Sequence, residues 1–242
     1  MKLRPTLTSF ALAAFPALIL DLVLVVPAIA GGSIAGSVSF DGTAPTRRTV
    51  KMAADPKCDA ANPDGRLGEV FVINDGKLQN VFVYIKEGLG DKTFETPKEP
   101  VNLDQKGCMY EPHVIGAMVG QTIVIKNSDS TLHNVHSLPK NSKQFNAAMP
   151  MANMTIKKKF ASPEVMVRIK CDVHPWMASY VGVVANPFHS VSGADGSFTI
   201  SDVPAGTYTI EAWHEKLGTQ TMEVTVSDGA PAAADFTFAP KS

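Results

Sequence analysis

The most informative segment of the chain is Val165-Met-Val-Arg-Ile-Lys-Cys171-Asp-Val-His174-Pro-Trp-Met177. Its first half has the apolar, β-branched character of a strand. Its second half is a short loop with a thiol, an imidazole and a thioether at three-residue intervals. We expect these three donors to converge, so the segment predicts a metal site at the end of a strand.

A second imidazole is available upstream of this loop. The strand-like run Gln121-Thr-Ile-Val-Ile125 is followed by Asn127-Ser-Asp-Ser-Thr-Leu-His133-Asn-Val-His136. The ends of two strands meet in a β-sandwich, so one of these histidines would complete the donor set. Residues three apart in a strand point to opposite faces, and therefore only one of His133 and His136 faces the metal.

Two histidines, a cysteine and a methionine form a donor set that suits copper. Soft thiolate and neutral imidazoles hold the ion in a trigonal plane, and a weak axial thioether tunes it, as in electron-transfer sites. A thiolate near a histidine is also a nucleophile, but the thioether has no role in that chemistry. Copper oxidases that pass electrons on to a three-copper cluster need histidines on both sides of the cysteine and His-x-His pairs for the cluster. Here Lys170 and Asp172 flank the cysteine and no His-x-His pair occurs elsewhere, so we expect an electron carrier and not an enzyme.

Both segments resemble the copper-binding part of cupredoxins of the amicyanin and plastocyanin type. The shared strings are His133-Asn-Val-His136 and Cys171-x-x-His174-Pro-aromatic-Met177, and the resemblance spans residues 98–186. It implies a Greek-key β-sandwich that binds one type 1 copper ion through His133, Cys171, His174 and Met177. His133 is favoured over His136 by this match.

The resemblance also implies roles for residues around the ligands. Asn134 would tie the two ligand loops together by hydrogen bonds. Asp172 departs from the family, in which a small neutral residue often follows the cysteine; its carboxylate near the thiolate would lower the reduction potential. The edge of His174 would be exposed as the point of electron exchange, with Pro175 and Trp176 as an apolar docking surface beside it.

The composition predicts an all-β protein. Of 242 residues, 45% are hydrophobic and 19% are charged, as in globular domains. There are 18 glycines and 17 prolines, which break helices and form turns, and no long amphipathic helical pattern is present. We therefore expect many short strands.

A second sandwich is predicted from the C-terminal region. Residues 192–212 alternate apolar and polar side chains, so that Phe198, Ile200, Tyr208 and Ile210 point inward. Their strings Asp-Gly-x-Phe-x-Ile and Val-Pro-x-Gly-x-Tyr resemble carboxypeptidase regulatory-like (prealbumin-like) domains. The first strands of this unit would be Ser33–Phe40 and Gln79–Ile85.

The predicted organisation follows from these two units. Residues 31–97 and 187–242 form the prealbumin-like sandwich, and the cupredoxin domain of residues 98–186 is inserted in it; a tandem arrangement is the alternative. Residues 1–30 read as a signal peptide cleaved after Ala30, the alternative being an uncleaved membrane anchor. The protein would then be periplasmic or secreted.

Export also bears on the cysteines. In an oxidising compartment, Cys58 and Cys108 are expected to form a disulfide; two free buried thiols are the alternative. Cys171 is then the remaining thiol.

The predicted function is therefore single-electron transfer by an exported type 1 copper protein. Its partner would be a redox protein such as a c-type cytochrome or a dehydrogenase; no nucleic acid is expected, and membrane contact only if the leader is retained. Residues 98–186 carry a net charge of +4 and the rest of the mature chain −6. Lysines such as Lys140 and Lys143 and those at 157–159 would then steer an acidic partner; an ordinary solvated face is the alternative.

Two other functions stay open at this point. Clustered thioethers at Met149, Met151 and Met154 would suit a copper chaperone or storage protein. The prealbumin-like unit would suit a carbohydrate or surface-binding module, but that needs exposed aromatic residues beyond Trp213.

Overall fold

A computed structural model describes residues 31–240, and the elements in this range are almost entirely β-strands. The predicted signal peptide lies outside the described residues, so its cleavage stays a prediction. Within the described range, no helix is long and apolar enough to cross a membrane.

The first part of the described chain contains short strands and a helix of one and a half turns. Their bounds are β1 Gly32–Phe40, β2 Thr49–Val50, α1 Pro56–Ala61, β3 Arg66–Leu67, β4 Ile73–Asn74, β5 Lys77–Leu78 and β6 Phe82–Glu87.

The middle part supplies nine strands. Their bounds are β7 Val101–Lys106, β8 Met109–Glu111, β9 Val114–Met118, β10 Ile123–Asn127, β11 His133–Leu138, β12 Asn146–Met149, β13 Thr155–Lys158, β14 Glu164–Lys170 and β15 Ala178–Val184.

The last part returns to the sheets of the first. Its strands are β16 His189–Val191, β17 Ser197–Val203, β18 Gly206–His214, β19 Gly218–Val226, β20 Pro231–Ala233 and β21 Phe236–Phe238.

Strands from the two ends of the chain pair with each other in two sheets. One has the order β17-β1-β5-β4, with β20 and β21 also paired to β1, and the other has the order β16-β6-β18-β19. Their facing sides bury an apolar core that includes Phe198, Ile200, Tyr208 and Ile210, so the predicted inward face is confirmed. Alternation of apolar and polar residues is what allows each strand to bury one face.

The middle strands form a second pair of sheets. Their orders are β13-β10-β7-β8 and β12-β11-β14-β15-β9. The core between them also takes in Met52 and Cys58 from the first part of the chain. The all-β class with two sandwiches is therefore confirmed, while the segment around α1 packs on the middle sandwich. The predicted domain boundaries stay predictions.

A glycine pair lets the two sandwiches pack closely. Gly116 on β9 lies opposite Gly182 on β15. A Cβ atom at Gly182 would lie 2.5 Å from the ring of Phe82 on β6, and one at Gly116 would lie 2.3 Å from His189. The two glycines thus leave a recess for Phe82, which is fully buried between the sandwiches.

Candidate metal centre

Strand register brings the two predicted donor segments together. β11 and β14 are antiparallel, with His136 opposite Lys170. Residues before 136 therefore run alongside residues after 170, which places His133 near Cys171. The buried hydroxyl of Tyr110 donates to the carbonyl of Asn134 at 2.7 Å and to that of Lys170 at 3.2 Å, and so holds the two strands together.

The loop after β14 is closed by its own backbone. The amide of Cys171 donates to the carbonyl of Met177 at 3.2 Å, and the amide of Met177 donates to the carbonyl of His174 at 2.9 Å. All three side chains lie inside the protein, with exposures of 2%, 0% and 1% for Cys171, Met177 and His174. Met177 belongs to the same apolar cluster as Cys171.

Three donor atoms meet in this buried space. The Nδ1 atoms of His133 and His174 are 2.9 Å apart, and the Sγ atom of Cys171 is 3.7 Å from Nδ1 of His174. Donors bound to one small transition-metal ion at about 2.0–2.3 Å lie at most about 4.2–4.6 Å apart, so both distances fit a shared ion. Imidazole and thiolate donors fit copper.

A carboxylate holds the far nitrogen of each imidazole. Nε2 of His133 is 2.9 Å from Oδ2 of Asp129, and Nε2 of His174 is 2.9 Å from Oδ2 of Asp55. A hydrogen bond from Nε2–H leaves the Nδ1 lone pair free for a metal and fixes the plane of the ring. Both rings are therefore oriented for binding before any ion arrives.

Asp55 is itself firmly placed. It is the N-cap of α1, where its side chain accepts the amides of Lys57 and Cys58, and its other oxygen accepts the hydroxyl of Thr131. The hydrogen bond with His174 is the main reason why the pKa of Asp55 is lowered to about 2. This carboxylate is charged throughout the physiological range.

Asp129 is fixed in the same way on the other side. Its carboxylate accepts the amides of Gly107 and Cys108 at 2.7 and 2.8 Å. Cys108 forms the predicted disulfide with Cys58, whose Sγ atom lies 3.6 Å from Nε2 of His174. The disulfide thus joins the segment that carries Asp55 to the turn whose backbone amides hold Asp129.

Electrostatics favour a thiolate at the centre. Burial raises the pKa of Cys171, but the imidazole of His133 and the backbone amides of Asn134 and His174 bring it below the usual value. Burial likewise opposes the charge on His133, yet Asp129 and the thiolate raise the pKa of that imidazole to about 9. The metal-free site therefore holds a proton on His133 that an ion would displace.

The donor set does not extend to the disulfide. Two further groupings of potential ligand atoms exist in the described residues, around His174 with Asp55 and around His133 with Asp129, but each counts a disulfide sulfur as its third donor. A disulfide sulfur carries no thiolate charge. Among residues 31–240, His133, Cys171 and His174 are thus the one such group with a free thiol.

Asn134 and Asp172 lie where the two ligand loops touch. The amide of Asp172 donates to Oδ1 of Asn134 at 2.6 Å, and Nδ2 of Asn134 donates to Oδ2 of Asp172 at 3.0 Å. The carboxylate of Asp172 also binds Lys170 and Nδ1 of His136, at 2.7 and 2.9 Å. His136 therefore belongs to an outer polar cluster, and its other nitrogen contacts Gln144.

One expectation from the resemblance is wrong: the edge of His174 is not exposed. The residue is 1% exposed, because Asp55 and the disulfide lie against its Nε2 edge. Trp176 is half-buried beside it, with the two ring centroids 5.0 Å apart. The segment around α1 covers the surface that the sequence resemblance assigned to electron exchange.

Three supporting residues were missed by reasoning from the sequence. Asp129 lies four residues before His133, a spacing that was visible but not distinctive. Asp55 lies three residues before Cys58, and nothing in the sequence around it pointed to His174. Tyr110 carried no signal, since a buried tyrosine is common in a β-sandwich.

Fold and site together define the class: an all-β protein of two sandwiches, with a buried imidazole–thiolate centre in one of them. Residues 181–239 match the family model of the carboxypeptidase regulatory-like domain, which confirms the resemblance of the C-terminal region to that family. No curated protein matches the chain.

Several solved structures are similar to part of the chain. A purple cupredoxin from Nitrosopumilus maritimus is 23% identical over 34% of this chain and 98% of that one, with a TM-score of 0.30. An oxidised variant of amicyanin is 19% identical over 42% and 97%, with a TM-score of 0.32. A copper-containing nitrite reductase from Thermus scotoductus SA-01 is 21% identical over 40% and 24%, with a TM-score of 0.34.

Proposed function

We propose that this protein is an exported one-electron carrier with one type 1 copper ion held by His133, Cys171, His174 and Met177. The observation that carries the proposal is the convergence of three donor atoms in a buried space. The two Nδ1 atoms are 2.9 Å apart, and the Sγ atom of Cys171 is 3.7 Å from Nδ1 of His174. A trigonal set of this kind, with a thioether nearby, is the donor set of blue copper sites.

The surroundings of the donors support electron transfer. Bound copper would supply the single-electron couple. The protein's contribution is rigidity: Asp129 and Asp55 fix the two imidazoles, and the closed loop from Cys171 to Met177 fixes the thiolate and thioether. Ligands that move little between oxidation states keep the reorganisation energy low.

The same rigidity argues against a copper chaperone or store. A protein that hands over its ion needs ligands that can be reached and displaced, whereas these are 0–2% exposed. The three methionines offered for that role lie in different environments: Met149 is buried and accepts a hydrogen bond from Gln105, while Met151 is 66% exposed.

A carbohydrate-binding role has less support. It would require aromatic side chains that stand free on the surface. Trp213 is only partly exposed and packs on Tyr180 of the other sandwich, with ring centroids 5.1 Å apart. Trp213 therefore serves the contact between the two sandwiches.

We further propose a periplasmic or secreted location and a redox protein as partner. The disulfide between Cys58 and Cys108 is consistent with an oxidising compartment. The partner would be a c-type cytochrome or a dehydrogenase, and the protein itself would carry electrons and catalyse no reaction.

Visible absorption and electron paramagnetic resonance of the mature protein with Cu(II) test the proposal. An intense thiolate-to-copper band at roughly 600 nm is expected for a trigonal two-histidine, one-cysteine site. Cys171→Ser and His133→Ala should abolish it. His136→Ala is the matched control, because this histidine lies on the outer face of the same strand, and it should keep the band.

The outcomes are distinct. No band in the wild-type protein, or a band that survives Cys171→Ser, would refute the blue-copper proposal. A band lost in His136→Ala but kept in His133→Ala would mean that the wrong histidine has been assigned.

A further inference from the structure

The His174 ring, which the sequence resemblance assigned to electron exchange, is covered in this protein. The imidazole of His174 has its Nε2 edge against Asp55, at 2.9 Å, and against the sulfur of Cys58, at 3.6 Å. Both residues belong to the segment around α1, which packs into the core of the middle sandwich. An external redox partner therefore cannot touch this ring.

The neighbouring Trp176 reaches the surface instead. Its ring lies 5.0 Å from that of His174, centroid to centroid, and its Nε1–H donates to the carbonyl of Cys108 at 3.0 Å. Trp176 is half-buried and lines an open cavity of about 620 Å³ between the two sandwiches. The indole thus connects a ligand ring with a concave surface.

The cavity has a basic rim. Arg48 and Lys51, which stand directly before and after β2, line one side of the cavity. Arg168 on β14 and Lys216 in the β18–β19 turn also line it. All four residues are exposed, and none has an ion-pair partner among residues 31–240.

The acidic groups of the cavity are Glu69 and Glu215. Glu215 binds the imidazole of His113 at 2.6 Å, and Glu69 lies 3.8 Å from the other nitrogen of the same ring. Both carboxylates point to this ring and are largely buried, with side-chain exposures of 21% for Glu69 and 7% for Glu215. An approaching molecule therefore meets the four exposed cations of the rim first.

We infer that electrons enter and leave through Trp176, and that the basic-rimmed cavity around it is the docking surface for an acidic redox protein. The inference rests on the proposed function and names the partner's chemistry. With copper bound, a donor partner would give up one electron and the site would hold Cu(I) in place of Cu(II). An acceptor partner would then take that electron and restore Cu(II), with no bond made or broken in either step. Opposite charges on the two surfaces would steer the encounter.

This surface differs from the lysine patch that charge distribution in the sequence indicated. Lys140 and Lys143 do not line the cavity. They are exposed and offer a matched pair for charge reversal elsewhere on the protein.

The first test needs no copper. In metal-free Trp213→Phe protein, Trp176 is the remaining tryptophan. At equal ionic strength, the quenching constants of iodide and caesium are each divided by those for N-acetyltryptophanamide, which removes the intrinsic difference between the two quenchers. The normalised constant for iodide should be about threefold or more that for caesium, because the rim concentrates anions. Arg48→Glu with Lys51→Glu should remove the preference, and Lys140→Glu with Lys143→Glu should keep it. Equal normalised constants in the parent protein would overturn the inference.

The second test measures electron exchange in the copper-loaded protein by stopped flow, with an acidic and a basic c-type cytochrome as probes. At low salt, Arg48→Glu with Lys51→Glu should slow exchange with the acidic cytochrome by about tenfold or more. The control pair Lys140→Glu with Lys143→Glu should change it by about twofold at most.

Trp176→Leu should slow exchange with both cytochromes while the band at roughly 600 nm remains. Unchanged rates in Trp176→Leu, or a larger loss in the control pair than in the cavity pair, would overturn the inference. Absence of the absorption band would instead refute the proposed function, so the two failures are distinguishable.

Discussion

Removal of the disulfide should cost the protein a large part of its stability. Cys58 and Cys108 are separated by 50 positions in the sequence. Opening a loop of that length increases the conformational entropy of the unfolded chain, which lowers its free energy by about 4 kcal/mol at room temperature. Cys58→Ser combined with Cys108→Ser should therefore lower the free energy of unfolding by about 4 kcal/mol.

Urea unfolding of the metal-free protein, followed by tryptophan fluorescence and circular dichroism, measures this difference. Trp176 reports on the region directly, because its indole donates to the carbonyl of Cys108. Wild-type protein treated with a phosphine reductant should match the double variant, and the double variant should not respond to the reductant. A loss below about 1 kcal/mol would contradict the reasoning, since the loop would then be held closed without the covalent bond.

The other predictions concern the site and the contact between the sandwiches. Asp55→Ala should weaken copper binding by about 10–100-fold in a competition titration, because His174 loses its orienting partner, whereas Asp59→Ala on the exposed side of the same helix should not. Copper affinity should rise with pH, by up to about tenfold per unit, until the pKa of His133 at about 9 is passed, because the ion displaces that proton; a flat profile would contradict this. Gly182→Ala should lower the free energy of unfolding in urea by about 1–3 kcal/mol, because its Cβ would meet the ring of Phe82; an unchanged midpoint would show that the ring can move aside.

Local patterns were reliable where one face of a strand is buried. Alternation placed Phe198, Ile200, Tyr208 and Ile210 inside, and all four are buried. The same alternation separates His133, which turns toward Cys171 and His174, from His136, which turns toward Asp172. Side chains in a strand have a period of two, so their faces follow from the sequence alone.

Contacts between residues far apart in the sequence could not be predicted from such local patterns. β1 pairs with β17, and Asp55 meets His174, across more than a hundred residues. An aspartate followed by proline indicates a turn or a helix start, and nothing in that signal says which histidine it will face. The edge of His174 is covered by such a distant segment, which is why the sequence did not predict it.

The amino-acid sequence by itself determined the strand-rich class, the donor types and the spacing of Cys171, His174 and Met177, because these depend on local periodicity and side-chain chemistry. Only the tertiary structure decided that Asp55 and the disulfide cover His174, and that Trp176 opens into a basic cavity. These features arise where segments distant in sequence pack together, and the free energy of such packing depends on shape and burial that no local pattern encodes.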